Sequence, residues 1–142
     1  MTKLSEHDRE SFLAEPHIAA LSVAGEPGRG PLTVPMWYQY EPGGEAWVLT
    51  EAASLKARLI RAAGRFTLMV DRTAPTIRYV SVEGPVTRTI PATDELLREI
   101  TERYLPPDQV PAYLARAEAE FGPQVVIYLR PERWLTSDLG PS

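Results

Sequence analysis

Thr50, Ser54 and Lys56 stand close together in "TEAASLKARLIR", Thr50 to Arg61, and these side chains suit a phosphate or a similar anion. Hydroxyls donate to anionic oxygens, and a lysine adds a full positive charge. Ser54 reads as the N-cap of a helix over Ser54 to Ala63, with Gly64 past its end. The free N–H groups of its first turn then face outward at the positive end of the helix dipole. Lys56 sits in that turn, where a cation costs roughly a few tenths of a kcal/mol unless an anion is near. Arg58 and Arg61 add charge one turn on. The chain has thirteen arginines and only two lysines, the other being Lys3. Two readings stand for Lys56: a solvated helix residue in a slightly unfavourable place, which is the commoner case, or a ligand for an anion.

Consecutive Trp37 and Tyr38 in "VPMWYQY" point to opposite faces of a strand, one toward the core and the other toward a dimer partner or a ligand. Core on one side and dimer contact on the other is the commoner arrangement. Pro35 cannot donate to a ladder, so it should face an edge, a bulge or a ligand. In "RYVSVEG", Val80 and Val82 share one face and Tyr79, Ser81 and Glu83 the other. Buried, Glu83 would suit a general base; its ordinary place is in solvent or beside an arginine, and it is given no catalytic role. Trp134 reads as a packing anchor. There is no cysteine, and His7 and His17 are the two histidines. Disulfides, thiolate nucleophiles and cysteine- or histidine-rich metal sites are therefore excluded, and no metal is expected. No Ser-His-Asp set, zinc spacing, G-x-G-x-x-G or G-K-[ST] loop is present.

These residues need elements to position them. "LSEHDRESFLAE" predicts a helix capped by Ser5, with Leu4, Phe12 and Leu13 on its apolar face and Pro16 beyond its end. "HIAALSV" (His17 to Val23) predicts a buried strand, and "AGEPGRGP" a turn. "LTVPMWYQY", "EPGGE" and "AWVLT" (Ala46 to Thr50) read as one hairpin, the clearest in the chain. After the Ser54 helix, "RFTLMVD" (Arg65 to Asp71) and "IRYVSVEGPVTRTI" (Ile77 to Ile90) are strands, with a bulge or bend at Gly84-Pro85. "ATDELLREITERYL", capped by Thr93, and "AYLARAEAEFG" are helices joined by "PPDQVP". "QVVIYLRPERWL" is a closing strand from Gln124 towards Trp134. About six strands joined mainly by turns, with four helices, predict a mainly β (α+β) fold: an antiparallel sheet or barrel with peripheral helices.

With 142 residues, 44% hydrophobic and 24% charged, the composition is that of a single globular domain spanning residues 1–142. A net charge of −4 with interspersed signs excludes a basic nucleic-acid footprint. Apolar runs fall well short of the roughly 18 residues of a membrane span, so no integral membrane segment is expected. "MTKLSEHDRESF" lacks an apolar signal core, and a cytoplasmic location is expected.

The ordered pieces "AALSV", "PLTVPMWYQY", "AWVLT", "SLKARLIRAAGRFTLMVD" and "YVSVEGPV", roughly Leu4 to Val86, resemble the pyridoxamine 5′-phosphate oxidase-like split β-barrel. They are most similar to its flavin/deazaflavin oxidoreductase branch, many of whose members use coenzyme F-420. The resemblance implies a homodimer of split barrels with cofactor sites at the subunit interface. It implies that Val34, Pro35, Met36 and Trp37 run along the ring system. Thr50, Ser54 and Lys56, with the nearby charge of Arg58, would bind the phosphate, and Trp134 would reach the partner's site. FMN-using oxidases of this family commonly show Ser-Arg-Lys where this chain has Leu55 between Ser54 and Lys56. The expected cofactor is therefore coenzyme F-420, with FMN as the alternative. The expected function is hydride transfer to an electron-poor small molecule such as an enone, a quinone or a tetrapyrrole. An FMN oxidoreductase, a non-catalytic cofactor-binding protein and a purely structural dimer are the competing readings. The residues point to no catalytic acid, and water would protonate the product.

Overall fold

A computed structural model describes residues 2–140. The chain opens with α1 (Glu6–Ala14), capped as expected by Ser5 Oγ on the Asp8 N–H. There follow β1 (Ala19–Val23), β2 (Leu32–Met36), β3 (Gln39–Tyr40), β4 (Ala46–Glu51), α2 (Leu55–Ala63), β5 (Arg65–Arg72) and β6 (Arg78–Pro91). Next come α3 (Asp94–Tyr104), a short 3₁₀ turn (Pro107–Gln109), α4 (Val110–Glu120), β7 (Gln124–Leu129) and β8 (Arg133–Asp138). The strands pair antiparallel in the order β2-β1-β5-β6-β7-β4-β3, and β8 joins β6. One long strand serves two neighbourhoods: β6 pairs with β5 and β8 along Arg78 to Glu83 and with β7 from Val86 onward. The sheet curls into a split barrel with the helices around it, the mainly β fold that the sequence predicts. Among the described residues no helix is long and apolar enough to cross a membrane.

Three expected strands differ from the structure. The long arm "LTVPMWYQY" is no single strand of a hairpin. Its first half, β2, pairs with β1, and only Gln39 and Tyr40 pair with β4. The break has a tertiary cause, a partner far along the chain. The Tyr38 N–H donates to the Tyr104 hydroxyl (3.1 Å) rather than to a ladder, and the Tyr38 ring is fully buried. "QVVIYLRPERWL" breaks at Arg130–Glu132 into β7 and β8, with Pro131 in the break. These two breaks raise the strand count from about six to eight. The register shift in β6 lies between Val86 and Arg88, just past the predicted Gly84-Pro85. Pro35 does lie on an edge strand, as expected, because β2 ends the sheet.

The main core joins alternate strand residues, among them Leu21, Val48, Leu68, Val70, Val80, Val82 and Leu129, with Phe12 and Leu13 of α1. Each such side chain contributes about 1.5–3 kcal/mol by leaving water. A second cluster, Trp47, Ile100, Val126 and Tyr128, fixes α3 to the sheet. The C-terminal end of α1 is tied down by side chains. The Tyr38 hydroxyl shares its proton between Leu13 O (2.6 Å) and Glu15 O (2.9 Å). Arg103 donates to Ala14 O and Glu15 O, both at 2.9 Å. Burial drives the Tyr38 phenol far above its usual value, so it stays a donor. Tyr38→Phe should destabilise the fold by about 1–3 kcal/mol, because it strips a buried donor from those carbonyls. Chemical denaturation of both proteins checks this.

The two ends of the described chain meet. Thr2 N–H donates to Asp138 O (3.0 Å), Asp138 N–H donates to Thr2 O (2.7 Å), and Leu4 N–H donates to Thr136 Oγ1 (3.0 Å). The Asp138 carboxylate accepts from Arg78 (2.8 Å) and Thr76 (3.1 Å). Gly140 N–H and Arg78 hold it below its ordinary pKa.

Candidate functional site

The turn between β4 and α2 is built by local rules. Ser54 N–H donates to Glu51 O (3.1 Å), and Ser54 Oγ accepts from the Ala57 N–H (3.2 Å). Gly64, at φ 73°, ends α2 in the left-handed conformation that glycine adopts without strain. With Ser54 Oγ capping Ala57, and Arg58 N–H bonded to Ser54 O, the N–H groups of Leu55 and Lys56 are left for an acceptor outside the helix. Ala52 N–H donates to Pro123 O (2.9 Å), which ties the turn to the start of β7.

This turn faces β2 across a depression of about 260 Å³. Pro35, Met36 and Trp37 line one side, and Thr50, Glu51 and Lys56 another. A third wall comes from α4 and its end: Tyr113 and Phe121, with Gln124 and Leu49 completing the surface. The aromatic residues brace one another. Trp37 stacks on Tyr104 at 5.0 Å and 6°, and Tyr113 tilts against Trp37 at 5.4 Å. Phe121 meets Tyr113 edge-on at 6.2 Å. Lys56 is half-buried, and among the described residues no carboxylate forms an ion pair with it. Thr50 is buried, its hydroxyl 3.4 Å from that of Ser54.

The structure thus gathers Pro35, Met36, Trp37, Thr50 and Lys56 at one depression, with Ser54 behind it as the cap. Val34 lines a shallow neighbouring hollow with Ile18 and Ala20 that meets the depression at Pro35. Arg58 is not brought in. It lies on another face of α2 and approaches Glu26 at 3.6 Å, both side chains being exposed. Residues two apart on a helix do not share a face, so Arg58 cannot follow Lys56. Trp134 lies elsewhere in the chain, in a cavity with Glu10, Tyr40 and Arg130, under the Arg9 guanidinium at 4.5 Å. Sequence reasoning missed Tyr113, Phe121, Glu51 and Gln124. The signal for the first two was a pair of aromatics, one on an otherwise alanine-rich helix and one just past its end.

A planar ring system bearing an anionic tail fits this donor set. Pro35 to Trp37 and the α4 aromatics offer flat apolar faces. Lys56, Thr50 and the two free N–H groups could hold an anion beside them. A larger cleft of about 540 Å³ between α3 and α4 shares Phe121 and Gln124 with this depression. Both hollows carry both signs of charge, Arg98 with Asp94 and Glu118 in the larger and Lys56 with Glu51 in the smaller, but the free first-turn N–H groups of α2 belong to the smaller one.

Comparison with known proteins bears on this arrangement. Residues 5–138 match the family described as pyridoxamine 5′-phosphate oxidase. A conserved hypothetical protein, Rv2991, from Mycobacterium tuberculosis is similar at 25% identity and a TM-score of 0.71, over 95% of this chain and 85% of that one. An F-420 reductase is similar at 25% identity and a TM-score of 0.72, over 89% and 94% of the two chains. A FAD-binding protein from Mesorhizobium loti, at 18% identity and a TM-score of 0.60 over 95% and 93%, shares the fold. No curated protein matches.

Proposed function

Since this chain belongs to the pyridoxamine 5′-phosphate oxidase family, we propose that it is an oxidoreductase that binds the deazaflavin coenzyme F-420 and reduces an electron-poor small molecule. The observation that carries this reading is Lys56. It is half-buried, unpaired among the described residues, and placed at the free N-terminus of α2 opposite the apolar edge Pro35 to Trp37. A bound phosphate would offset its position at the positive end of the helix. The similarity to an F-420 reductase supports the deazaflavin over FMN. So does Leu55, which is 45% exposed where a second phosphate-binding cation would stand.

Held there, the coenzyme supplies hydride chemistry. The chain's own groups would bind and orient it: Lys56, Thr50 and the first-turn N–H groups at the phosphate, and Pro35, Met36 and Trp37 along the ring. Tyr113 and Phe121 would exclude water from the opposite side. The reading includes a homodimer, with the depression completed by a second copy. Fluorescence titration with the deazaflavin and with FMN tests the cofactor. Saturable micromolar binding of the deazaflavin is expected; binding of FMN alone defeats the assignment and favours the flavin alternative.

A further inference from the structure

Tyr113 differs from Tyr38, Tyr40 and Tyr104 in what its hydroxyl meets. Tyr38, Tyr40 and Tyr104 commit their hydroxyls to Leu13 O, Glu10 and His17 O at 2.6, 2.8 and 2.7 Å. The Tyr113 hydroxyl has no such partner among the described residues, although its ring is held between Trp37 and Phe121. The residue lines the depression together with Lys56 and Thr50. A phenol fixed by its ring, half-buried and with no protein group among the described residues holding its O–H, can donate to an acceptor oxygen that enters the depression.

Building on the reading above, we propose that Tyr113 is the catalytic acid of the site, acting on acceptors whose electron-poor bond is conjugated to a carbonyl. Its O–H hydrogen-bonds the carbonyl oxygen. Hydride from the reduced deazaflavin forms the new C–H bond at the β-carbon of an enone, and the C=C electron pair moves toward the oxygen. The Tyr113 O–H bond breaks and its proton goes to that oxygen, giving the enol. Water returns a proton to the phenolate, and the enol tautomerises in solution. The acceptor gains a hydride and a proton, while the deazaflavin loses two electrons.

The charged groups around Tyr113 are Lys56 and Glu51 across the depression and Arg116 on its own helix. Burial raises the phenol above its ordinary value of 10.0, with Arg116 opposing. The group therefore carries its proton through the neutral range.

The test uses the full chain with reduced coenzyme F-420 and 2-cyclohexen-1-one. Tyr113→Phe keeps the ring and its packing, and is expected to slow enone reduction by about 10²-fold or more, as loss of a general acid does. Deazaflavin affinity should be unchanged. In the cofactor-free protein, the near-ultraviolet tyrosinate titration of wild type minus that of Tyr113→Phe should isolate one phenol titrating above 10.0. The alkaline limb of the wild-type rate should follow that phenol and vanish in the variant. Wild-type turnover with an unimpaired Tyr113→Phe overturns the acid assignment alone. A wild-type protein that neither binds the deazaflavin nor reduces the enone overturns the cofactor reading, and the acid with it.

Discussion

Lys56→Ala should weaken deazaflavin binding by about 1.5–3 kcal/mol, the worth of a hydrogen bond to a charged group, or roughly a 10- to 150-fold rise in Kd. The size follows from the setting. Lys56 is half-buried and has no carboxylate partner among the described residues. Its charge is therefore not neutralised by the protein before a ligand arrives. The Leu55 and Lys56 N–H groups and Thr50 are untouched by the substitution, so binding should weaken rather than vanish. The unliganded fold should be as stable as wild type or slightly more so, because a cation leaves the positive end of α2. That pairing of lower affinity with undiminished stability separates a ligand-binding role from a structural one. Fluorescence titration and thermal unfolding read the two quantities, and an unchanged Kd returns Lys56 to the role of a solvated helix residue.

Gly84→Ala should cost about 3 kcal/mol or more, lowering Tm by about 10 °C, because the new methyl has nowhere to go. A Cβ at Gly84 would collide with the backbone carbonyl of Arg130. That backbone cannot retreat easily. Arg130 N–H donates to Pro85 O (3.1 Å) and Glu132 N–H donates to Glu83 O (2.9 Å), pinning the crossing segment on both sides of the glycine. Relief would break these bonds and pull β8 away from β6. A midpoint of thermal unfolding equal to that of wild type would refute this account.

Features decided within a few residues were legible. Ser5, Ser54 and Thr93 cap their helices, and Gly64 ends α2, because capping needs only a hydroxyl or a missing side chain at the right offset. Alternation placed Val80 and Val82 in the core and left Glu83 half-buried. What failed depended on distant groups. No local pattern tells that Tyr104 will take the Tyr38 N–H and switch the chain from one strand pairing to another. The site divides the same way. Pro35 to Trp37, Thr50 and Lys56 belong to two short stretches that the sequence singles out, and they meet at one depression. The α4 wall depends on how that helix docks, which brings Tyr113 against Trp37, distant in sequence, and is encoded in no short stretch. Arg58 does not line that depression and approaches Glu26 instead, because residues two apart on a helix do not share a face.

The seam between Thr2 and Asp138 has a consequence for biosynthesis. A ribosome delivers the chain from its N-terminus, so residues 2–4 wait unpaired until residues 136–138 emerge. β8 must also arrive before the first half of β6 has both neighbours. Barrel closure is therefore a late event that joins segments far apart in sequence, the kind of contact that slows folding. Between the emergence of β6 and that of β8 the nascent polypeptide exposes an incomplete sheet edge, and it is in that interval that a chaperone would matter most.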